Sequence, residues 1–289
     1  MNDPTGQDRR ERGAINDFTA KMKLIGREVK KILDALPVTV VTLNAAGDEL
    51  KRYNFNVDTM QMELIGADIS KLIDDILLVG GQRDLWFLTQ YVQPAYQQGT
   101  GMAHTNLSLQ SQAYAVSRPT LETVLLSPEY RRRIGYVRAR QWEEMKGLSE
   151  TTKTGMTRIL FSGMAQGINP NVIASQLAKE TDMDIVQARR IARTEINTAL
   201  RQSRLDEAED AQVSLGILTK MMQISALSAT TRPTHAARHA KLYTIAEVRV
   251  WMSTSPNMIN CKCSFIEVLV NDKGQPLTPG IIAKAESQR

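Results

Sequence analysis

Apolar side chains return every three or four residues along most of this sequence, and that period restricts the chain to a helix-rich fold. Phe18, Met22, Ile25, Val29, Ile32, Leu33 and Leu36 predict an amphipathic helix that ends before Pro37. Over 38–57 the period changes. VTVVTLN and LKRYNFNV are β-rich runs joined by AAGDE, which predicts a β-hairpin with Gly47 in its turn. Helical spacing resumes at Met62, Ile65, Ile69, Leu72, Ile73 and Ile76, stops at Gly80-Gly81, and returns from about Leu85 to Gln98.

Further helices are expected over Glu129 to Leu148, over Thr151 to Gln166, and from about Ile185 to Ala211 behind an Asp182 or Asp184 N-cap. Past Val213 the strand-like SLGILTKMMQIS, a Thr/Pro/His-rich loop, a short helix near Ile245 to Trp251 and the strand CSFIEVLV form a mixed block. The expected class is α+β, predominantly helical, with a helical N-terminal part carrying an early hairpin and a compact α+β C-terminal domain. The expected division is a flexible arm over 1–13, a helical region with the hairpin over 14–118, and a C-terminal region over 119–289. In that last region helices run to about 211, the α+β block spans 213–270, and an extended tail follows.

Hydrophobic residues at 42% and charged residues at 23% are enough to bury a core. A net charge of +5 favours polyanionic partners but is modest for a dedicated nucleic-acid coat protein. The two cysteines, Cys261 and Cys263, give no disulfide framework and fit a reducing cytoplasm. No run of about 18 apolar residues and no secretory signal core is present, so no membrane contact is expected.

Three constellations are candidates for chemistry. The first joins TTRPTHAARHAKLYT to NCKC and so groups Arg232, His235, His239, Cys261 and Cys263. Two histidines four apart with two cysteines suit a structural zinc site, although C-x-C is tighter than the usual spacing and His235 follows Pro233 in an apparent loop. In a second reading His235 and Arg232 hold a long loop through backbone carbonyls while the cysteines pack as small apolar groups. A Cys–His nucleophile is the third, with no orienting group assignable.

The second constellation is a helix with Arg189 and Arg193 four apart, Arg190 and Glu195 on other faces, and a packed stripe of Ile185, Ala188, Ala192, Ile196, Ala199 and Ser203. Its arginines either form ordinary surface ion pairs or face phosphate or an acidic partner. The third is YRRRIGYVRARQW, where Arg131, Arg132, Arg133, Arg138 and Arg140 lie beside Tyr130, Tyr136 and Trp142. The aromatics read as core anchors. Any DNA contact by these arginines would be to the backbone, salt-dependent and blind to sequence. No phosphate-cradling, zinc-protease or nucleophile-elbow motif is present.

Taken in order, Ala192-Arg193-Thr194-Glu195, Thr231-Arg232-Pro233-Thr234-His235 and Asn260-Cys261-Lys262-Cys263 resemble the phage Mu F-like minor head (head-morphogenesis) proteins, most strongly from Gly155 to Glu267. The motif positions are Arg193, Glu195, Arg232, His235, Asn260, Cys261 and Cys263. The family's acidic residue before the T-R pair is replaced here by Ala229-Thr230, and its glycine after the histidine by Ala240. Residues 1–110 carry no matching motif.

The resemblance implies a structural, non-enzymatic component of a tailed-phage virion, assembled in the host cytoplasm and bound near the portal vertex or inner capsid surface. Its partners would be the portal protein and the major capsid protein, with packaged double-stranded DNA as a further, non-specific contact. No cofactor is required, and structural zinc stays open. Two alternatives stand beside it: a metal-binding enzyme or nuclease built on His235, His239, Cys261 and Cys263, and a DNA-binding regulator.

Overall fold

The structure, a computed structural model, describes residues 3–45 and 48–287; for 43–45 and 48–50 only the backbone is described. The turn expected at Gly47 lies outside the described residues. The chain forms two compact units that interleave along the sequence. One takes the N-terminal residues up to Ala14, then Phe87–Arg138 and Arg190–Arg289; the other takes Ile15–Trp86 and Ala139–Arg189. This corrects the expected division at 118/119, because three helices, α1 (Asp8–Asp34), α7 (Pro128–Ala165) and α8 (Pro170–Leu215), each contribute to both units. No helix among the described residues is long and apolar enough to cross a membrane.

In the second unit the predicted hairpin forms, with β1 (Val38–Ala45) and β2 (Asp48–Phe55) antiparallel and Val38 opposite Phe55. Helix α2 (Thr59–Leu77) begins with a reciprocal Asp58–Gln61 capping box, which satisfies two otherwise orphaned backbone donors. The apolar stripe of α1 (Phe18, Met22, Ile25, Val29 and Leu33) is buried, as are Ile69, Ile73 and Leu77 of α2. Trp86 closes this core edge-on to Phe18 at 4.8 Å, and its indole N–H donates to the Leu77 carbonyl at 2.9 Å.

Helix α7 runs unbroken through Gly147, Ser149 and Glu150, where one helix was expected to stop at Leu148 and another to begin at Thr151. Met145, Leu148, Thr152, Met156 and Leu160 keep one buried face across the glycine, and that packing outweighs a propensity cost of about 1 kcal/mol. Helix α8 likewise passes through Asp182 and Asp184 instead of starting there, since Leu177, Thr181, Asp184 and Ala188 continue its buried face.

The second unit also holds the short α3 (Gly81–Asp84). The first unit gathers a π-helical turn Leu88–Val92, α4 (Gln93–Gln110), α5 (Gln112–Ser117), α6 (Leu121–Leu125) and a three-stranded antiparallel sheet in the order β4 (Leu242–Tyr243), β3 (Thr219–Ile224), β5 (Ser264–Leu269). Strand alternation divides the sheet into two faces. Met221 and Phe265 pack with Leu205 and Ala208 of α8 and with Ile245 and Val248 of α10 (Ile245–Ser253). Met222, Ile224 and Val268 face the other way, onto Ala240 and Ala285.

Ala285 belongs to α11 (Gly280–Glu286), which corrects the extended tail: this segment supplies the apolar cover that the second sheet face needs. Gly99 explains why α4 tolerates a glycine. A methyl built there would overlap the Leu200 carbonyl oxygen and the Ser203 hydroxyl of α8.

The flexible arm is also corrected, for residues 3–13. Asp3 accepts from the Thr5 and Asp8 amides at 3.1 and 3.0 Å, Thr5 and Gln7 are buried, and α1 starts at Asp8. Glu11, also buried, accepts from Asn197 at 2.6 Å and Arg193 at 3.3 Å, so the segment is fixed by polar partners that no local period reveals.

Candidate functional site

The site lies in the first unit, where the end of β3, α9 (Pro233–Ala236) and the chain leading into β5 meet α8. Arg201 organises it from below. This arginine is fully buried, and its Nη1 donates at 2.9 Å to the carbonyls of both Cys261 and Cys263. Carbonyls two residues apart turn to one donor when the chain is extended, and the same alternation puts both sulfurs together. Asn260 precedes them at φ 53°, a left-handed turn tied to α8 by its amide donating to Thr194 Oγ1 at 3.2 Å.

His235 enters from α9. Its Nδ1 lies 3.4 Å from Cys261 Sγ and 3.6 Å from Cys263 Sγ, and the three donor atoms fall within 4.8 Å of one another, all on buried residues. Trp251 packs edge-on to the imidazole at 5.3 Å, and Arg238 stacks over the Trp251 and Tyr243 rings. Arg232 donates to His235 Nε2 at 3.1 Å and to the carbonyls of Asn257 and Ile259 at 3.2 and 2.5 Å. Of the two residues expected to hold the loop through backbone carbonyls, Arg232 does so, while the His235 ring meets Arg232 and the two sulfurs instead.

A hydrogen bond from Cys263, then one from His235 and the nearby Arg201 charge, hold the Cys261 thiol below its ordinary value against the opposing effect of burial. Cys263, which supplies that bond and is itself buried, is pushed well above the ordinary thiol value.

His239 does not join the cluster. Its Nδ1 accepts from the Ser225 amide at 3.1 Å and its Nε2 donates to the Ala285 carbonyl at 2.9 Å, which uses both ring nitrogens. The four-residue spacing fails because α9 ends at Ala236, before a helix can carry both rings on one face. Of the four residues in the expected two-His, two-Cys set the structure brings together His235, Cys261 and Cys263.

A pocket of about 320 Å³ opens onto these three residues. Arg193, Arg232 and Lys262 supply positive charge to its wall, and Ser228, Thr230 and Thr231 supply hydroxyls. Arg193 is half-exposed and bonded to Glu11; Lys262 pairs with Asp8 and Glu11. Glu195 is buried on α8. Ile185, Ala188, Ala192, Ile196, Ala199 and Ser203 are all buried, as their spacing predicted.

The arginine clusters divide. Arg131, Arg132, Arg140, Arg189 and Arg190 are exposed. Arg133 is instead turned onto Glu207 and Asp210 at 3.6 and 3.4 Å, and Arg138 is half-buried, so neither is a free surface charge. Of the neighbouring aromatics Tyr130 is buried, whereas Tyr136 is exposed, against the core reading for that residue.

Sequence reasoning missed Arg201, Arg204 and Glu267. On a helix as rich in charge as α8 a buried arginine looks in sequence like the exposed ones, and its partners lie some sixty residues away.

Residues 155–266 match the family model described as phage Mu protein F like protein, which supports the resemblance carried by the three motifs. No curated protein and no solved structure matches the chain.

Proposed function

We propose, from the premise that residues 155–266 form a phage Mu protein F like segment, that this chain is a minor structural protein of a tailed-phage head. In this reading it acts in head morphogenesis by docking at or near the portal vertex or inner capsid surface. Its partners there are the portal protein and the major capsid protein, and the work is adhesion rather than turnover.

One observation carries the reading: the residues that line the site, from Arg193 to Cys263, and the Arg201 that braces its C-x-C backbone all fall within the matched segment. The bracing is what a docking module needs. Arg201 and Arg232 together fix four carbonyls of the loop chain, and a loop already ordered loses less entropy when a partner binds. The exposed arginines Arg131, Arg132, Arg189 and Arg190 support a secondary, sequence-blind contact with packaged DNA.

The test is co-expression of the full chain with the portal protein of the same phage, followed by sedimentation. The chain is expected in the fast fraction with the portal oligomer. Sedimentation of the chain alone, with intact portal rings beneath it, contradicts portal docking.

A further inference from the structure

We propose that His235 Nδ1, Cys261 Sγ and Cys263 Sγ hold one zinc ion, and that its fourth coordination position opens into the pocket. This metal site is independent of the role in head assembly, and either can fail without the other.

The three donor atoms stand at the spacing that zinc requires of its ligands. Zinc with Zn–N about 2.0–2.1 Å and Zn–S about 2.3 Å sets its nitrogen and sulfur ligands roughly 3.5 Å apart along a tetrahedral edge. Nδ1 lies 3.4 and 3.6 Å from the two sulfurs. The donor set, one imidazole and two sulfurs, suits zinc rather than calcium or magnesium, which take oxygen. All three residues are buried on rigid supports: Arg201 pins the C-x-C backbone and Trp251 fixes the imidazole plane. The tight C-x-C spacing is no obstacle, because the extended chain brings both sulfurs to the same side.

The far ring nitrogen of His235 places one demand on the site. With Nδ1 on the metal, Nε2 carries the proton, and that proton would face the Arg232 guanidinium, also a donor. Arg232 has two carbonyl acceptors of its own, Asn257 and Ile259, which hold it whether or not the ring accepts. The Arg232–Nε2 contact is therefore the one that opens on metal binding.

Three protein ligands leave one position. His235, Cys261 and Cys263 all line the pocket, whose wall also carries Arg193, Arg232, Thr230 and Thr231. That wall selects an anionic oxygen ligand, with water in its place when the pocket is empty. His239 offers no fourth donor, since both of its ring nitrogens are engaged.

The test uses the full chain, produced with zinc supplied and purified without chelator. Metal analysis should give about one zinc per chain. After exchange to cobalt(II), the unaltered protein should show a thiolate-to-cobalt charge-transfer band with the intensity of two thiolates, and its visible bands should shift on adding azide. His235→Ala and Cys261→Ser should lose the metal, while a His239→Gln variant that keeps its helical circular dichroism should retain it. Metal-free protein that takes up no cobalt after reduction overturns the proposal, as does loss of metal from folded His239→Gln. Cobalt bands indifferent to azide contradict the open fourth position.

Discussion

Arg204 and Glu267 meet as a two-point ion pair inside the first unit, Nε to Oε1 at 2.8 Å and Nη2 to Oε2 at 2.6 Å, with both side chains almost wholly out of water. Asn106 donates to the same carboxylate at 2.9 Å and to the Glu267 carbonyl at 2.7 Å, so the pair ties α8 and α4 to the middle of β5. A buried pair of this kind gives little net stability, but removing one partner strands a charge. Arg204→Met should therefore cost about 3–5 kcal/mol in urea unfolding, and the double variant Arg204→Met/Glu267→Leu should recover much of that loss. A double variant as unstable as the sum of its singles would contradict this account.

The close approach of α4 and α8 at Gly99 gives a second expectation. In Gly99→Ala the new methyl meets the Leu200 carbonyl, which is backbone and cannot rotate away. The higher helix propensity of alanine is then outweighed by overpacking, and destabilisation of about 1–3 kcal/mol should appear in thermal or urea unfolding. Stabilisation would mean that the two helices are farther apart than described.

Asp184 provides a pH test in the second unit. Burial, then the neighbouring Glu180, raises its carboxyl from the ordinary 3.8 to about 6, and its Oδ2 has no hydrogen-bond partner among the described residues. Because the folded value is the higher one, the protonated folded state is favoured. The stabilisation is complete below about pH 4 and is lost as pH rises through about 6. The Tm of the wild type relative to Asp184→Asn should thus fall between pH 4 and 7. A constant difference over that range would contradict the shift.

For DNA, the expectation is weak binding that falls steeply with added salt and does not depend on sequence. Arg131→Glu with Arg132→Glu should weaken it and flatten its salt slope in a fluorescence-anisotropy titration. Arg133→Ala should act mainly on stability, because that side chain is committed to Glu207 and Asp210. Operator-like affinity that survives high salt would favour a regulator instead.

What local sequence could and could not reveal follows from the range of the forces involved. The packed stripe of α8, the hairpin pairing and the positions of β3, α10 and β5 are set by the period of nearby side chains, and the structure has each of them. His235, Cys261 and Cys263 come together as their chemistry implied. His239 was misplaced because four-residue spacing is informative only within a helix, and α9 is a single turn. The ordered N-terminus depends on Asn197 and Arg193 meeting Glu11, and α11 on a sheet face left uncovered until the chain folds; neither partner lies nearby in sequence.

The central claim is that this chain is a component of the phage head. It is tested most directly by following an epitope-tagged copy through infection and assaying gradient-purified, nuclease-treated heads. The account predicts the chain in those heads at low copy, located at the portal-bearing vertex in averaged images. Heads that are complete, infectious and free of the chain, with all of it left in the unassembled pool, would contradict the account.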